Sequence, residues 1–242
     1  MGYGIEYCRL EARKLSAMNV LVKPWVMGTG GILKIPNHKD QVLEALERNS
    51  TEREIHSYLK GHPLLIRNAF NTWAWNKVIT ESEFELGNSY RVDFLVLSAD
   101  SGQWHANFVE LKSHREAPFT KDGIPSKALN VALAQLQDRI LWIEGNQPTF
   151  RQSLAGLFET HKVAAQCSHS DLHTRAATEI VDMRTHISFQ YFVMIGRRNM
   201  ISTEYSKRRH INSQVKVATY DRLIDVAKKL DEVELERLKY KL

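Results

Sequence analysis

The spacing of apolar and polar positions divides the chain into short blocks of recognisable period. Ile55 and Leu59, at i and i+4, predict a helix that Ser50 or Thr51 caps, that runs through Lys60, and that the Gly61–Pro63 triplet ends. Two extended stretches follow, Tyr90–Ser98 (YRVDFLVLS) and Trp104–Lys112 (WHANFVELK). The turn formers Asp100, Ser101 and Gly102 lie between them, so an antiparallel hairpin is expected. Pro125 and Ser126 start a helix that reaches Glu144 and stops at Gly145. A very apolar strand is read at Ile187–Ile195, a short one at Val215–Ala218, and an amphipathic helix over Thr219–Leu238. Residues 150–185 are polar and weakly periodic, and the pattern assigns them little. Residues 1–49 read as a small leading unit: strand-like Val20–Val26, a turn at the GTGG of Gly28–Gly31, extended Ile32–Ile35 and helical Asp40–Glu47. The GTGG lacks the Lys-Ser or Lys-Thr of a phosphate-binding loop, which favours a hairpin turn.

Composition narrows the class. With 43% hydrophobic and 25% charged residues among 242, and only 12 Gly and 6 Pro, the chain is neither disordered nor collagen-like. No apolar run approaches the roughly 20 residues of a membrane span. The N-terminal MGYGIEYCRLEARK is too charged for a signal peptide, and two distant cysteines, Cys8 and Cys167, suggest no disulfide framework, so a cytoplasmic setting is expected. The formal charge of +5 is confined to one segment. The window from Arg197 to Lys216 holds Arg197, Arg198, Lys207, Arg208, Arg209 and Lys216 against the single acid Glu204, so the rest of the chain is neutral. With Asn199, Tyr205, Asn212 and Gln214 interleaved, this segment suits a nucleic-acid backbone; a solvated basic loop is the alternative.

Candidate chemistry concentrates on the hairpin. Asp93 is flanked by Val92, Phe94, Leu95 and Val96, where the pattern demands burial, and a buried acid needs a partner or a role. In the second strand Phe108, Glu110 and Lys112 share one face while Val109 and Leu111 take the other. Glu110 and Lys112 are then about 6–7 Å apart, beside Asp93 across the hairpin. Paired carboxylates provide the hard oxygen ligands of Mg²⁺ or Mn²⁺, and Lys112 can orient or deprotonate a water or stabilise charge on a reacting phosphate. Glu110 is the only acid in the chain followed two positions later by Lys. An ion-pair cluster on a half-exposed sheet face is the competing reading. Gln135 lies on the strip Ala128, Val131, Gln135, Asp138, with its amide partly buried, and Glu52 or Glu54 can add a carboxylate, Glu54 being favoured.

Other constellations carry less. Cys167, His169 and His173 lack the second cysteine pair of a zinc site, and no G-x-S-x-G elbow occurs. His105 and His114, which flank the Glu-Lys strand, are expected at the surface. Trp73 and Trp75 in NTWAW read as a buried or edge strand before a base-stacking platform.

Taken in order, these blocks resemble the PD-(D/E)xK nuclease superfamily and, more narrowly, the nuclease domain of Shedu anti-phage defence proteins. The likeness rests on TEREIHSYLKGHPLLI (51–66), RVDFLVL (91–97), FVELKS (108–113), ALAQLQDRILWI (132–143), VMIGRRN (193–199) and ATYDRLIDVAKKL (218–230), and spans roughly Ser50 to Leu230. Val92 stands where the superfamily's name motif has Pro. The resemblance implies an α/β (α+β) fold with a restriction-endonuclease-like core, a mixed β-sheet flanked by helices. Residues 50–242 would form the nuclease domain and 1–49 a small N-terminal addition, a reduced sensing or regulatory part. It implies a Mg²⁺- or Mn²⁺-dependent endonuclease that cleaves or nicks DNA in anti-phage defence, working as a homo-oligomer. Asp93, Glu110 and Lys112 match the family's catalytic positions, Asp93 and Glu110 as metal ligands. Gln135 matches its helix glutamine, with Gln137 in competition, and Glu54 its first-helix acid, with Glu52 in competition. Arg197, Arg198, Lys207, Arg208 and Arg209 are the candidate DNA contacts. A nuclease fold without turnover, kept as a DNA-binding or scaffold module, is the alternative.

Overall fold

The computed structural model describes residues 36–48, 51–71, 76–99, 103–165, 170–203 and 214–239. Its centre is a five-stranded mixed sheet in the order β1-β2-β3-β4-β5: β1 (Asn76–Leu86), β2 (Tyr90–Ala99), β3 (Trp104–Leu111), β4 (Ile187–Met194) and β5 (Val215–Ala218). The first three strands pair antiparallel, and β3/β4 and β4/β5 pair parallel. Parallel neighbours need a long crossover. Helices α4 (Lys127–Gly145), α5 (Gln147–Ala165) and α6 (Ser170–Val181) fill the one between β3 and β4. Helices α1 (His38–Arg48), α2 (Glu52–Gly61) and α3 (Pro63–Phe70) precede the sheet, and α7 (Asp221–Lys239) follows it. The expected mixed α/β architecture is therefore present.

Two apolar clusters put a helical layer on each face. Leu95, Leu97, Ala106 and Phe108 pack with Leu129, Leu136, Phe150 and Phe158 of the crossover helices. Phe94, Val96, Val109 and Leu111 pack with Ile55, Leu59, Phe70 and Leu223. Val42 and Leu46 of α1 join this second cluster, and Asp231 of α7 accepts from the His38 and Lys39 amides at the start of α1. Helix α1 thus shares the core of the segment beyond residue 50. The strand-like Val20–Val26, the GTGG turn and the 32–35 stretch lie outside the described residues, as do Cys167, His169, Trp73 and Trp75.

Three stretches of regular structure were not read from the pattern. Strand β1 is an edge strand whose Glu81, Ser82, Glu83 and Glu85 hide its alternation, and charge on an edge discourages pairing with other chains. Its tight turn into β2 uses Gly87 at φ +58, where a Cβ would come within 2.8 Å of the Trp142 ring. The polar 150–185 region folds as α5 and α6 because Phe150, Leu154 and Phe158 reach the core and Arg151, itself buried, donates to the carbonyls of Ile180, Asp182 and Thr185. Those bonds satisfy backbone acceptors where α6 ends. Helix α3, a third, begins at the proline expected to terminate α2, since Pro suits a first helical turn.

Candidate active site

Strand alternation carries the acids to the end of the hairpin. Phe94 opposes Val109, so Asp93 and Glu110 come next in register. Alternation breaks at Asp93: Val92 belongs to the α4–α6 cluster and Phe94 to the opposite one, although two residues apart. Opposite Asp93, Glu83 of β1 adopts φ 56 while its neighbours Ser82 and Phe84 pair with Phe94 and Val92. A left-handed φ in a non-glycine residue costs about 1–2 kcal/mol, so packing on both sides imposes this inflection. Asp93 Oδ2 accepts from the Leu111 amide at 2.7 Å, which ties the carboxylate to the strand bearing Glu110 and Lys112.

Glu110 is 3% exposed and meets two cations, one on each oxygen. Lys112 Nζ donates to Oε1 at 3.3 Å; Arg139 Nη1 of α4 stands 3.0 Å from Oε2. The Arg139 contact lacks hydrogen-bond alignment, so Oε2 is a buried oxygen without a donor. Burial, and then the nearby Asp93 charge, push the Glu110 carboxyl up to about 7, against the pull of Arg139 and Lys112. Lys112 Nζ also donates to Glu52 Oε1 at 3.5 Å, and burial, with help from Asp93, raises the Glu52 carboxyl as well. Carboxylates from α2 and β3 therefore flank one lysine, and the Asp93 charge of β2 acts on both of them. The ion pairs of the competing reading are present, but Glu110 and Lys112 are enclosed and not on a half-exposed face.

The backbone of Lys112 is held on both sides. Its amide donates to Met194 O at 2.9 Å, and its carbonyl accepts from the Tyr220 hydroxyl at 2.9 Å. Tyr220 is fully buried, and its hydroxyl is pushed well above the ordinary range by burial and by the Glu52 and Asp93 charges. Tyr220→Phe removes the donor to the Lys112 carbonyl. It is expected to cost about 1–2 kcal/mol in urea unfolding; an unchanged midpoint would mean that the bond does not hold Lys112.

Several expected positions need correction. Glu52, not Glu54, faces Lys112: Glu54 closes a capping box with Thr51, accepting from the Thr51 amide at 3.0 Å. The buried face of α4 is Leu129, Ala132, Leu136, Arg139 and Ile143, whereas Val131 is 47% exposed and Asp138 and Gln137 face solvent. Gln135 lies at the margin of that face, one turn before Arg139, and its Oε1 is buried without a hydrogen-bond partner. His105 and His114 are buried instead of superficial, His105 Nδ1 lying 2.6 Å from Ser188 Oγ. In the basic segment, Arg197 grips Asp221 through Nε and Nη2, and Arg198, its side chain 61% exposed, pairs with Asp225 at 2.5 Å. Lys207, Arg208 and Arg209 lie outside the described residues. Gly196, just before this pair, has φ +65, and a Cβ there would stand 2.4 Å from Glu116 O, so the chain turns there only with glycine.

Across residues 49–224 the chain matches the family model described as Shedu protein SduA, C-terminal. The chain belongs to the Shedu family. Membership implies a role in anti-phage defence. The Shedu match contains Glu52, Asp93, Glu110, Lys112, Gln135, Arg139 and Tyr220, while α1 and the latter part of α7 fall outside it. No curated protein matches the chain. Among the described residues, no helix is long and apolar enough to cross a membrane, and no three His, Cys, Asp or Glu side chains are grouped to hold a metal ion. Mg²⁺, however, needs few protein ligands, commonly one or two carboxylates with waters and substrate phosphate completing the shell. Asp93 and Glu110 are two such carboxylates, and Glu110 Oε2, which accepts no hydrogen bond, is an oxygen that a cation would share with Arg139 Nη1 3.0 Å away. The residues fit the ion.

Proposed function

We propose that this Shedu chain is a metal-dependent DNA endonuclease of the PD-(D/E)xK type, cutting or nicking phosphodiester bonds in anti-phage defence. The observation that carries the reading is the burial of Glu110 beside Asp93 with Lys112 against it, an arrangement whose desolvation serves no purpose in a solvated ion-pair cluster. Asp93 and Glu110 hold Mg²⁺ or Mn²⁺, which when bound supplies Lewis-acid activation of the phosphate and of a water. Asp93 is oriented by the Leu111 amide. Lys112, kept in place by Glu52 and Glu110, presents its ammonium to the charge that develops on the phosphate. The buried Gln135 Oε1 on the neighbouring helix is available to accept from a bound water. Backbone contacts to DNA fall to the basic segment, chiefly Lys207, Arg208 and Arg209, and the working form is a cytoplasmic homo-oligomer.

Purified protein incubated with supercoiled plasmid tests the reading. Nicked or linear product with Mg²⁺ or Mn²⁺, and none with EDTA, is expected. Intact plasmid under every metal condition overturns it. DNA binding that falls with salt yet survives both EDTA and Glu110→Ala, without cleavage, would instead favour a binding module that keeps the fold.

A further inference from the structure

Arg139 is the strongest feature that the catalytic reading leaves unused. It projects from the apolar face of α4, and two of its nitrogens are already committed: Nε and Nη2 donate to the Arg91 carbonyl at 3.0 and 2.6 Å. The remaining Nη1 thereby stands 3.0 Å from Glu110 Oε2, with side-chain exposures of only 11% and 4%. Nη1 makes no hydrogen bond of its own and is held by charge alone. A guanidinium fixed at two of its corners cannot swing freely away, so a cation arriving at Glu110 Oε2 meets a resident positive charge.

Charge counting shows the consequence. When ionised, Glu52, Asp93 and Glu110 supply three negative charges, and Lys112 and Arg139 supply two positive ones. The net charge of minus one becomes plus one on entry of a divalent cation, and returns to zero only when a phosphodiester joins it. We infer that Arg139 is a positioning residue that occupies the metal-facing edge of Glu110, weakens divalent-cation binding in the DNA-free protein, and so couples metal loading to the arrival of a phosphate backbone. This inference rests on the metal-dependent reading above. It adds that the site carries a built-in cation that guards it.

Isothermal titration of Mn²⁺ into DNA-free protein decides the matter, with wild type, Arg139→Met, Arg139→Gln and Arg139→Lys compared. Removing a unit charge beside a divalent ion is expected to tighten Mn²⁺ binding by about tenfold or more in the two neutral variants. Arg139→Lys, which keeps the charge, is expected to stay near wild type. Unchanged or weaker binding in the folded neutral variants, or equal tightening in the lysine variant, overturns the inference while leaving the nuclease reading intact. Absence of Mn²⁺ binding in every DNA-free protein, neutral variants included, overturns the inference, and the plasmid assay still decides the nuclease reading. Should the neutral variants fail to fold, the wild type still tests the inference: adding Mg²⁺ is expected to shift the Arg139 Nε–H resonance, and a resonance that stays in place while Mg²⁺ binds refutes it.

Discussion

Lys112→Ala is expected to lower metal-dependent plasmid cleavage by about 100- to 1000-fold, the usual loss when one preorganised donor to developing charge is removed from an enclosed site. The side chain is 12% exposed and contacts two carboxylates, Glu110 and Glu52, so its ammonium is fixed before any substrate arrives. Little reorganisation is then needed during reaction. A purely structural lysine would also lose two ion pairs on truncation, and separating the two roles needs a stability measurement beside the rate. Truncation leaves Glu110 with one cation fewer, but its carboxyl already sits at about 7 and can take up a proton, which limits the penalty. Thermal unfolding and salt-dependent DNA binding should therefore change modestly while the cleavage rate collapses. A rate within fivefold of wild type would leave Lys112 a member of an ion-pair cluster and nothing more.

How far the site was legible depended on whether its determinants were local. Period-2 alternation was enough to place Glu110 and Lys112 on one face with Asp93 across the hairpin, because a residue's side of a strand depends on its immediate neighbours. The Thr51-x-x-Glu54 spacing of a capping box was equally visible; followed through, it would have assigned Glu54 to the helix end and released Glu52 for the site. Arg139 was recoverable too. On an apolar helix such as α4, strips one residue apart look alike, and the buried strip through Leu129, Leu136 and Ile143 carries an arginine where a hydrophobe is expected. Nothing local, however, announces that Arg197 and Arg198 meet Asp221 and Asp225, which lie more than twenty residues onward and come close only because Gly196 turns the chain beside the start of α7. Nor does sequence reveal the inflection at Asp93, which arises from opposing helical layers and not from the strand itself.

In the absence of metal, wild-type stability should fall by roughly 2 to 3 kcal/mol relative to Glu110→Gln as pH rises from 5 to 8. A carboxyl held at about 7 in the folded state, against 4.5 when exposed, binds more protons folded than unfolded across that interval. Stability is consequently greatest below the unfolded value, declines as pH rises through the window, and levels off above about 7. The rise of the buried carboxyl to about 7, with 4% exposure of the side chain and so little solvent screening, makes the effect on the order of a few kcal/mol. Other groups titrate nearby with different signs. Glu52, also raised, adds to the decline, though its 44% exposure dilutes the contribution. His114, lowered mainly by burial, works the other way, since the unfolded chain takes its proton first and stability gains as pH passes the histidine range. His114 acts equally in wild type and variant, so the difference between their urea-unfolding free energies in EDTA reports Glu110 together with the Glu52 that shares its lysine. A difference that is flat with pH would mean that Glu110 does not carry the buried charge described. If Glu110 holds a metal as proposed, about 10 mM Mg²⁺ at pH 8 is expected to restore part of the loss in wild type and none in Glu110→Gln, because only a ligand that binds the folded site stabilises it.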